Sequence, residues 1–421
     1  MPTSFQYRGD VLCCEDVPVN QLAEEFGTPL YVYSLAQLRR NIATFTGAAN
    51  RRNNGFSSSY ALKANSNPSL LAEVCAAGLG ADVVSGGELR TALDAGFTPE
   101  KITYAGVGKR DDEIRFALRS HIGAFCVESE EELSVVSALA LEENSIARVA
   151  IRVNPDVDAG THPFISTGMH HNKFGIAIDV ATRTCRNAAS MSGIDLIGLH
   201  MHIGSQVASS EPYVDAALAM ATLVRELQGT GITIKQINMG GGFAVSYHNV
   251  VAHAALPKDE NGYMPAPEAT TLEAILSTLR ETGSRISIEP GRAIVASAGA
   301  LITRTLFTKT AGPKHFTIVD AAMNDLIRPC LYDAYHQIVP AFIKQEAIVS
   351  TDVVGPICET SDFLARDRAM ITPTRGDVLA VMCAGAYGMT LASNYNMRGR
   401  AAEVLVDGAV ARVVREREKM F

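Results

Sequence analysis

The sequence predicts an α/β protein, a TIM (β/α)8 barrel with a mainly β second domain, on three observations. At 421 residues the chain is too long for one ordinary core and suits a large barrel plus a second domain. From about Tyr31 to Val295, short β-rich runs alternate with amphipathic helical runs, the pattern of parallel strands joined by crossover helices. Those β-rich runs number eight, the count that closes such a barrel.

The eight strands read as Tyr60–Ala64, Ala81–Ser85, Ile102–Gly106, Ala124–Glu128, Val149–Asn154, Ile197–Gly204, Ile234–Gly241 and Ile286–Arg292. Between them, Asn67-Pro68 offers an N-cap and a proline at the first helical position ahead of SLLAEVCAAG. Similar starts precede DDEIRFALRSHIG and EEELSVVSALALEEN. After Ala300 the helical period fades into β-runs (ALITRTLFTKT, HFTIVDA, AIVSTDVVG, DVLAVMCAGAY, AEVLVDG, VARVVRE) punctuated by Gly, Pro and Asp. VLCCEDV and PLYVYS near the start fit neither barrel nor linker and are expected to join them. The domains are therefore drawn as 31–295 for the barrel, and 1–30 with 296–421 for the β-rich domain.

With 47% hydrophobic residues, 19% charged residues and a net charge of −8, the composition disfavours nucleic acid and anionic membrane surfaces and favours small-molecule work. The eight cysteines are irregularly spaced with no CxxC pair, so they read as reduced thiols. The start, MPTSFQYRGD, carries no leader pattern, and no apolar run approaches the ~20 residues that span a bilayer. A cytoplasmic location is expected.

A TIM barrel does its chemistry at the carboxyl ends of its strands, and reactive residues gather there. Strand one ends SYALKANSNP, which places Lys63 at the barrel mouth. A lysine there either snorkels to solvent or, desolvated and with a lowered pKa, forms a Schiff base. Strand six ends HMHIGSQ, with His200 and His202 on one face. No third ligand has sensible spacing for zinc, so no metal is expected, and an imidazole lying against a flat cofactor is preferred. Strand seven ends in Gly240, Gly241 and Gly242, and strand eight runs into SIEPGRAIV; these are the loops where barrels bind phosphate. Glu289, a carboxylate at the end of a buried strand, either pairs with Arg292 or faces a pyridine nitrogen. Lysine, phosphate cradle, histidine and acid together describe a pocket for pyridoxal 5'-phosphate (PLP).

YALKANSNPSLLA, ADVVSGGEL, THPFISTG with NKFGI, HMHIGSQ, NMGGGF, EPGRAIVASAG, AAMNDLIRPCLYDAYH, GPICETSDFLARDR and GAYGMTLASNYN run along nearly the whole chain. Together they resemble the fold-type III PLP-dependent decarboxylases, specifically the diaminopimelate decarboxylase family. The resemblance implies that Lys63 carries the cofactor, His202 stacks on its ring, Ser205, Gly241 and Gly291 hold its phosphate, and Glu289 faces the ring nitrogen. Asp82 would support the lysine or the cofactor. Arg292, with Arg328 and Tyr332 of the β-rich domain, would hold the carboxylate at the substrate's far end, and Glu359 of that domain the ammonium there. Tyr387 would reach phosphate or substrate. Cys358, otherwise a small buried residue, would protonate the carbanion from the partner subunit of a homodimer with active sites at the subunit interface. The implied reaction converts meso-2,6-diaminopimelate to L-lysine and CO2, and the distal zwitterion explains why guanidinium donors and an acid are both needed. Residues 243–267 depart from the shorter Gly-Ile-Pro-Tyr continuation expected after strand seven and are placed to reshape the pocket rim; AAMNDL stands where a glycine-containing version is expected.

Other readings remain open at this point. A decarboxylase of ornithine, arginine or a carboxylated polyamine would share the pocket but not need Arg328 and Tyr332. A racemase would favour a weaker electron sink than Glu289 supplies. A non-catalytic PLP-binding regulator would have no use for both Lys63 and Cys358, and a cofactor-free Schiff-base aldolase would be colourless.

Overall fold

The computed structural model describes residues 4–50, 55–158, 173–260, 262 and 264–420. The chain divides into two compact units, Met1–Asn41 with Val245–Met264 and Arg292–Phe421, and Ile42–Ala244 with Pro265–Gly291. The predicted segments THPFISTG and the first residue of NKFGI lie outside the described residues.

The second of these units is a closed barrel of eight parallel strands, Phe56–Ala61, Gly80–Val83, Ile102–Tyr104, Ala124–Val127, Ala147–Asn154, Ile194–His200, Gln236–Asn238 and Arg285–Ile288, each paired with the next and the last with the first. Each of the eight runs read from sequence contributes one strand. The predicted helices form: Asn67 accepts from Ser69 N ahead of Pro68, and Ser129 accepts from Glu132 N. Helix Asp111–Arg119 starts differently, because Arg110 offers no acceptor and the Glu113 carboxylate accepts from Arg110 N instead.

The first strand ends sooner than predicted. It stops at Ala61, and Lys63 sits in a 3₁₀ turn, Leu62–Ala64, rather than in the strand. The turn is held by Tyr60, whose hydroxyl donates to Asn65 O at 2.8 Å.

The β-rich unit holds the six β-runs predicted after Ala300, in strands Gly299–Ala311, Lys314–Val319, Ile348–Val354, Val378–Val381, Ala402–Asp407 and Val410–Arg415. Strand Leu30–Ser34 pairs with Gly299–Ala311 and Ala402–Asp407, so the first break between units comes after Asn41 and not at residue 30. Val245–Met264, drawn within the barrel range from sequence, also belongs to this unit. One long strand was missed, Phe363–Ile371. Its centre, Arg366-Asp367-Arg368, breaks the apolar alternation, and Asp367 takes a φ of 46° where the register with Ile348–Val354 shifts, a bulge that sequence does not announce. The core between the strands is aliphatic, with Leu12, Val32, Ile302, Ala380 and Val404 buried. All eight cysteines are free. Among the described residues no helix is long and apolar enough to cross a membrane.

Candidate active site

Parallel strands present their carboxyl ends on one rim of the barrel, and that rim carries the charged side chains. Lys63 Nζ lies 2.8 Å from Asp82 Oδ2 at the end of strand two. The Lys63 side chain keeps 38% of its exposure while Asp82 has none, so the lysine is not desolvated as expected and its charge is met by the aspartate. Burial pushes the Asp82 carboxyl up, the Glu289 charge adds to this, and Lys63 pulls it back.

Glu289 follows strand eight and is 5% exposed. Its carboxylate lies 3.1 Å from His200 Nε2 and accepts from Asn238 Nδ2 at 2.6 Å. Burial acts to raise Glu289, but His200, Lys63 and the Asn238 bond outweigh it and hold the carboxyl low. His200 is thus an inner support of the acid. His202, two residues on, accepts from Gly241 N at 3.1 Å through Nδ1, and burial, then the charges of Arg152 and Lys63, hold it well below the usual histidine range. A neutral imidazole there suits stacking on a flat ring. Ser205 is half-buried in the loop that follows.

The glycines are required by close approach. A Cβ on Gly241 would stand 2.2 Å from Glu289 O, and one on Gly242, whose φ is +98°, would stand 2.3 Å from Gly204 O. Gly291 packs tightly too, its missing Cβ 3.1 Å from the Cβ atoms of Ala61 and Ala64. Asp82 Oδ1 and His200 Nδ1 are buried without a hydrogen-bond partner among the described residues. A tethering lysine, a cradle that excludes side chains, an ionised buried acid, a neutral imidazole and polar atoms awaiting a partner fit PLP. A cavity of about 510 Å³ opens at the other, amino-terminal end of the strands, lined by Ser57, Ser59, Thr103, Gln236 and Ser287 among others, and none of these reactive residues borders it.

The β-rich unit holds the remaining predicted residues in two groups. Arg292, at the start of the short helix Arg292–Val295, and Arg328, at the start of Arg328–Tyr332, are both buried. The Arg292 guanidinium lies 4.9 Å from the Tyr387 ring centroid, and Tyr387 adopts φ 56°. Tyr332 is half-buried. Cys358 and Glu359 are exposed in a separate group: Cys358 N donates to Asn396 Oδ1 at 2.8 Å, and Glu359 accepts from Ser361 Oγ at 2.5 Å and Tyr395 Oη at 2.8 Å. The exposure removes the alternative reading of Cys358 as a small core residue.

Several residues escaped the sequence reading. Asn238 steadies Glu289, and Glu128 pairs with the buried Arg152 at 2.9 Å while accepting from Gly106 N. Both stand at strand carboxyl ends, the one signal that could have found them.

Residues 13–296 match the family model described as the pyridoxal binding domain of pyridoxal-dependent decarboxylases, which places the barrel in that class of enzyme. Along the whole length, the chain is 44% identical over 419 residues to a diaminopimelate decarboxylase of Aquifex aeolicus, covering 98% of this chain and 95% of the relative. It is 45% identical over 415 residues to that of Pseudomonas aeruginosa, covering 99% and 96%. Among solved structures it is similar to diaminopimelate decarboxylase from Helicobacter pylori complexed with L-lysine, with a TM-score of 0.88, 37% identity and coverage of 95% and 97%. The chain belongs to the diaminopimelate decarboxylase family.

Proposed function

We propose that the protein decarboxylates meso-2,6-diaminopimelate to L-lysine and CO2, with PLP held on Lys63. The observation that carries the substrate assignment is the pair of buried guanidiniums, Arg292 and Arg328, in one unit of a chain whose other unit bears the cofactor residues. Two buried cations suit a substrate that keeps a second carboxylate remote from the reacting carbon.

Bound PLP supplies the electron sink for the pair released as CO2 leaves. Lys63 would hold the cofactor through Nζ, which Asp82 positions at 2.8 Å. Glu289 would hold a proton on the ring nitrogen, His202 would support the ring, and Ser205, Gly240, Gly241, Gly242 and Gly291 would hold the phosphate. Arg292, Arg328 and Tyr332 bind the distal carboxylate, Glu359 the distal ammonium, and Tyr387 the phosphate or substrate. Cys358 Sγ delivers a proton to the carbon that lost CO2. The working form is a cytoplasmic homodimer in which Cys358 and Glu359 reach the site of a second copy. Their exposure beside Tyr395 and the Asn396–Met397 turn, with Met397 74% exposed, supports such an arrangement, because a proton donor must be sheltered from water to act selectively.

Purified protein with PLP and meso-diaminopimelate should release CO2 and lysine, with ornithine and arginine inert alongside and the Lys63→Ala protein inactive and without bound cofactor colour. Turnover of ornithine or arginine alone would overturn the substrate assignment, and an active Lys63→Ala protein the whole scheme.

A further inference from the structure

The segment after strand seven, which differs from the continuation expected there, carries a tyrosine into the arginine pair. Tyr247, 6% exposed, accepts from Arg292 Nη1 at 2.6 Å, and the Arg328 guanidinium lies 4.8 Å from its ring centroid. Its ring meets that of His336 edge-on at 4.9 Å. His336 has no exposure and makes two hydrogen bonds: Nδ1 faces Met382 O at 2.8 Å and Nε2 faces Arg328 Nη1 at 2.7 Å.

The partners settle the protonation of that imidazole. A carbonyl can only accept, so Nδ1 carries the hydrogen; a guanidinium can only donate, so Nε2 carries the lone pair. His336 is therefore neutral, in agreement with the strong lowering imposed by its burial and by Arg328. Arg328 is thus oriented by a neutral acceptor, the His336 imidazole, and Arg292 donates to another, the Tyr247 phenol. An acidic residue in either place would grip the guanidinium harder but cancel the charge that a substrate carboxylate must find. The framework is stiff: Gln337 clamps Val251 through its side chain at 2.8 and 2.9 Å, and its backbone N donates to Tyr247 O at 3.2 Å.

We infer that His336 and Tyr247 are positioning residues for substrate specificity: His336 holds Arg328 in place without neutralising it and so reserves its charge for a carboxylate, and Tyr247 orients Arg292 through its hydroxyl while its ring lies against Arg328. The inference rests on the functional reading above, which assigns the two arginines to the distal carboxylate. Neither residue touches the reacting atoms; each acts through an arginine.

The test uses the PLP-loaded full-length protein. His336→Glu, which supplies an anionic acceptor, should raise the KM for meso-diaminopimelate at least tenfold with kcat within about threefold. His336→Gln, which keeps a neutral acceptor, should stay within about threefold of wild type in both. L-lysine, which has a carboxylate, should inhibit the Glu variant at least tenfold less well, whereas cadaverine, which has none, should inhibit it unchanged. Tyr247→Phe should raise KM about fivefold, and it decides the matter if His336→Glu does not fold. Wild-type protein inert on meso-diaminopimelate would overturn the functional reading and the inference together. Active wild type with unchanged KM in His336→Glu, or in Tyr247→Phe where that variant decides, or an equal loss of cadaverine inhibition, would overturn the inference alone.

Discussion

Replacing Asp82 by Asn should make the protein more stable at alkaline pH and slower as an enzyme. Asp82 is fully buried, and burial first, the Glu289 charge second, push its carboxyl up to about 6 against the pull of Lys63. In the unfolded chain an aspartate titrates near ~3.9. The folded protein binds this proton more tightly, so the wild type loses stability as pH rises from the unfolded value through the folded one; the penalty is absent well below pH ~4 and complete well above pH ~6. It amounts to about 3 kcal/mol at high pH, of which about half is already present at pH ~5. Asn is neutral throughout and retains an acceptor for Lys63. Relative to wild type, Asp82→Asn should therefore gain about 1.4 kcal/mol between pH ~5 and pH ~8. The gain is measured by urea unfolding of the cofactor-free protein, followed by circular dichroism because the chain has no tryptophan. Catalysis should move the other way: exchanging a charge-assisted bond to Lys63 for a neutral one gives up ~1–2 kcal/mol, or roughly 5–30-fold in kcat. A variant that gains nothing between the two pH values, or that turns over like wild type, would refute the argument that this buried carboxylate is kept for chemistry at a cost in stability.

Three further outcomes follow from the same geometry. Glu289→Gln should lower kcat by about 10²–10⁴-fold with cofactor still bound, since the carboxylate that holds a proton on the ring nitrogen is gone; kinetics within threefold of wild type would remove Glu289 from that role. Gly241→Ala sets a Cβ against Glu289 O, so the backbone must shift, and a titration should show PLP affinity reduced more than tenfold with ~1–3 kcal/mol of stability lost; unchanged affinity would mean that the loop is no cradle. Cys358→Ala should cut kcat by about 10²-fold or more while leaving the thermal midpoint unchanged, because an exposed thiol contributes little to packing; a midpoint lowered by several degrees with normal kcat would mean a structural role.

The barrel was legible because its signal is local. Eight β-rich runs, three of the segments between them opening on a recognisable helix start, are written in consecutive residues, and parallel strands on a buried barrel read as near-continuous hydrophobic runs. Lys63, Asp82, Glu289 and the glycines could be found from the same rule, since each falls where a strand ends. The rule located Lys63 but not its surroundings: the strand stops at Ala61, where Tyr60 reaches over to Asn65, and the half-exposed lysine meets Asp82.

Hydrophobic period and residue type are properties of neighbours along the chain, and they sufficed for the class of fold and the inventory of chemistry. Which groups meet depends on the closed fold. Glu289 weighed against Arg292 in sequence, yet its partners are His200 and Asn238, on strands 89 and 51 residues away. Phe363–Ile371 hid behind an interior charge triplet in which a bulge leaves Arg366 and Asp367 exposed while Arg368 packs on Tyr335. Tyr247 lay in a segment read as part of the barrel and packs in the other unit, against His336 and between two arginines 45 and 81 residues further on. Such pairings depend on which strands lie side by side once the sheets close, and the free energy of burying a charge beside its partner is a property of that closed arrangement, with no counterpart in the order of the residues.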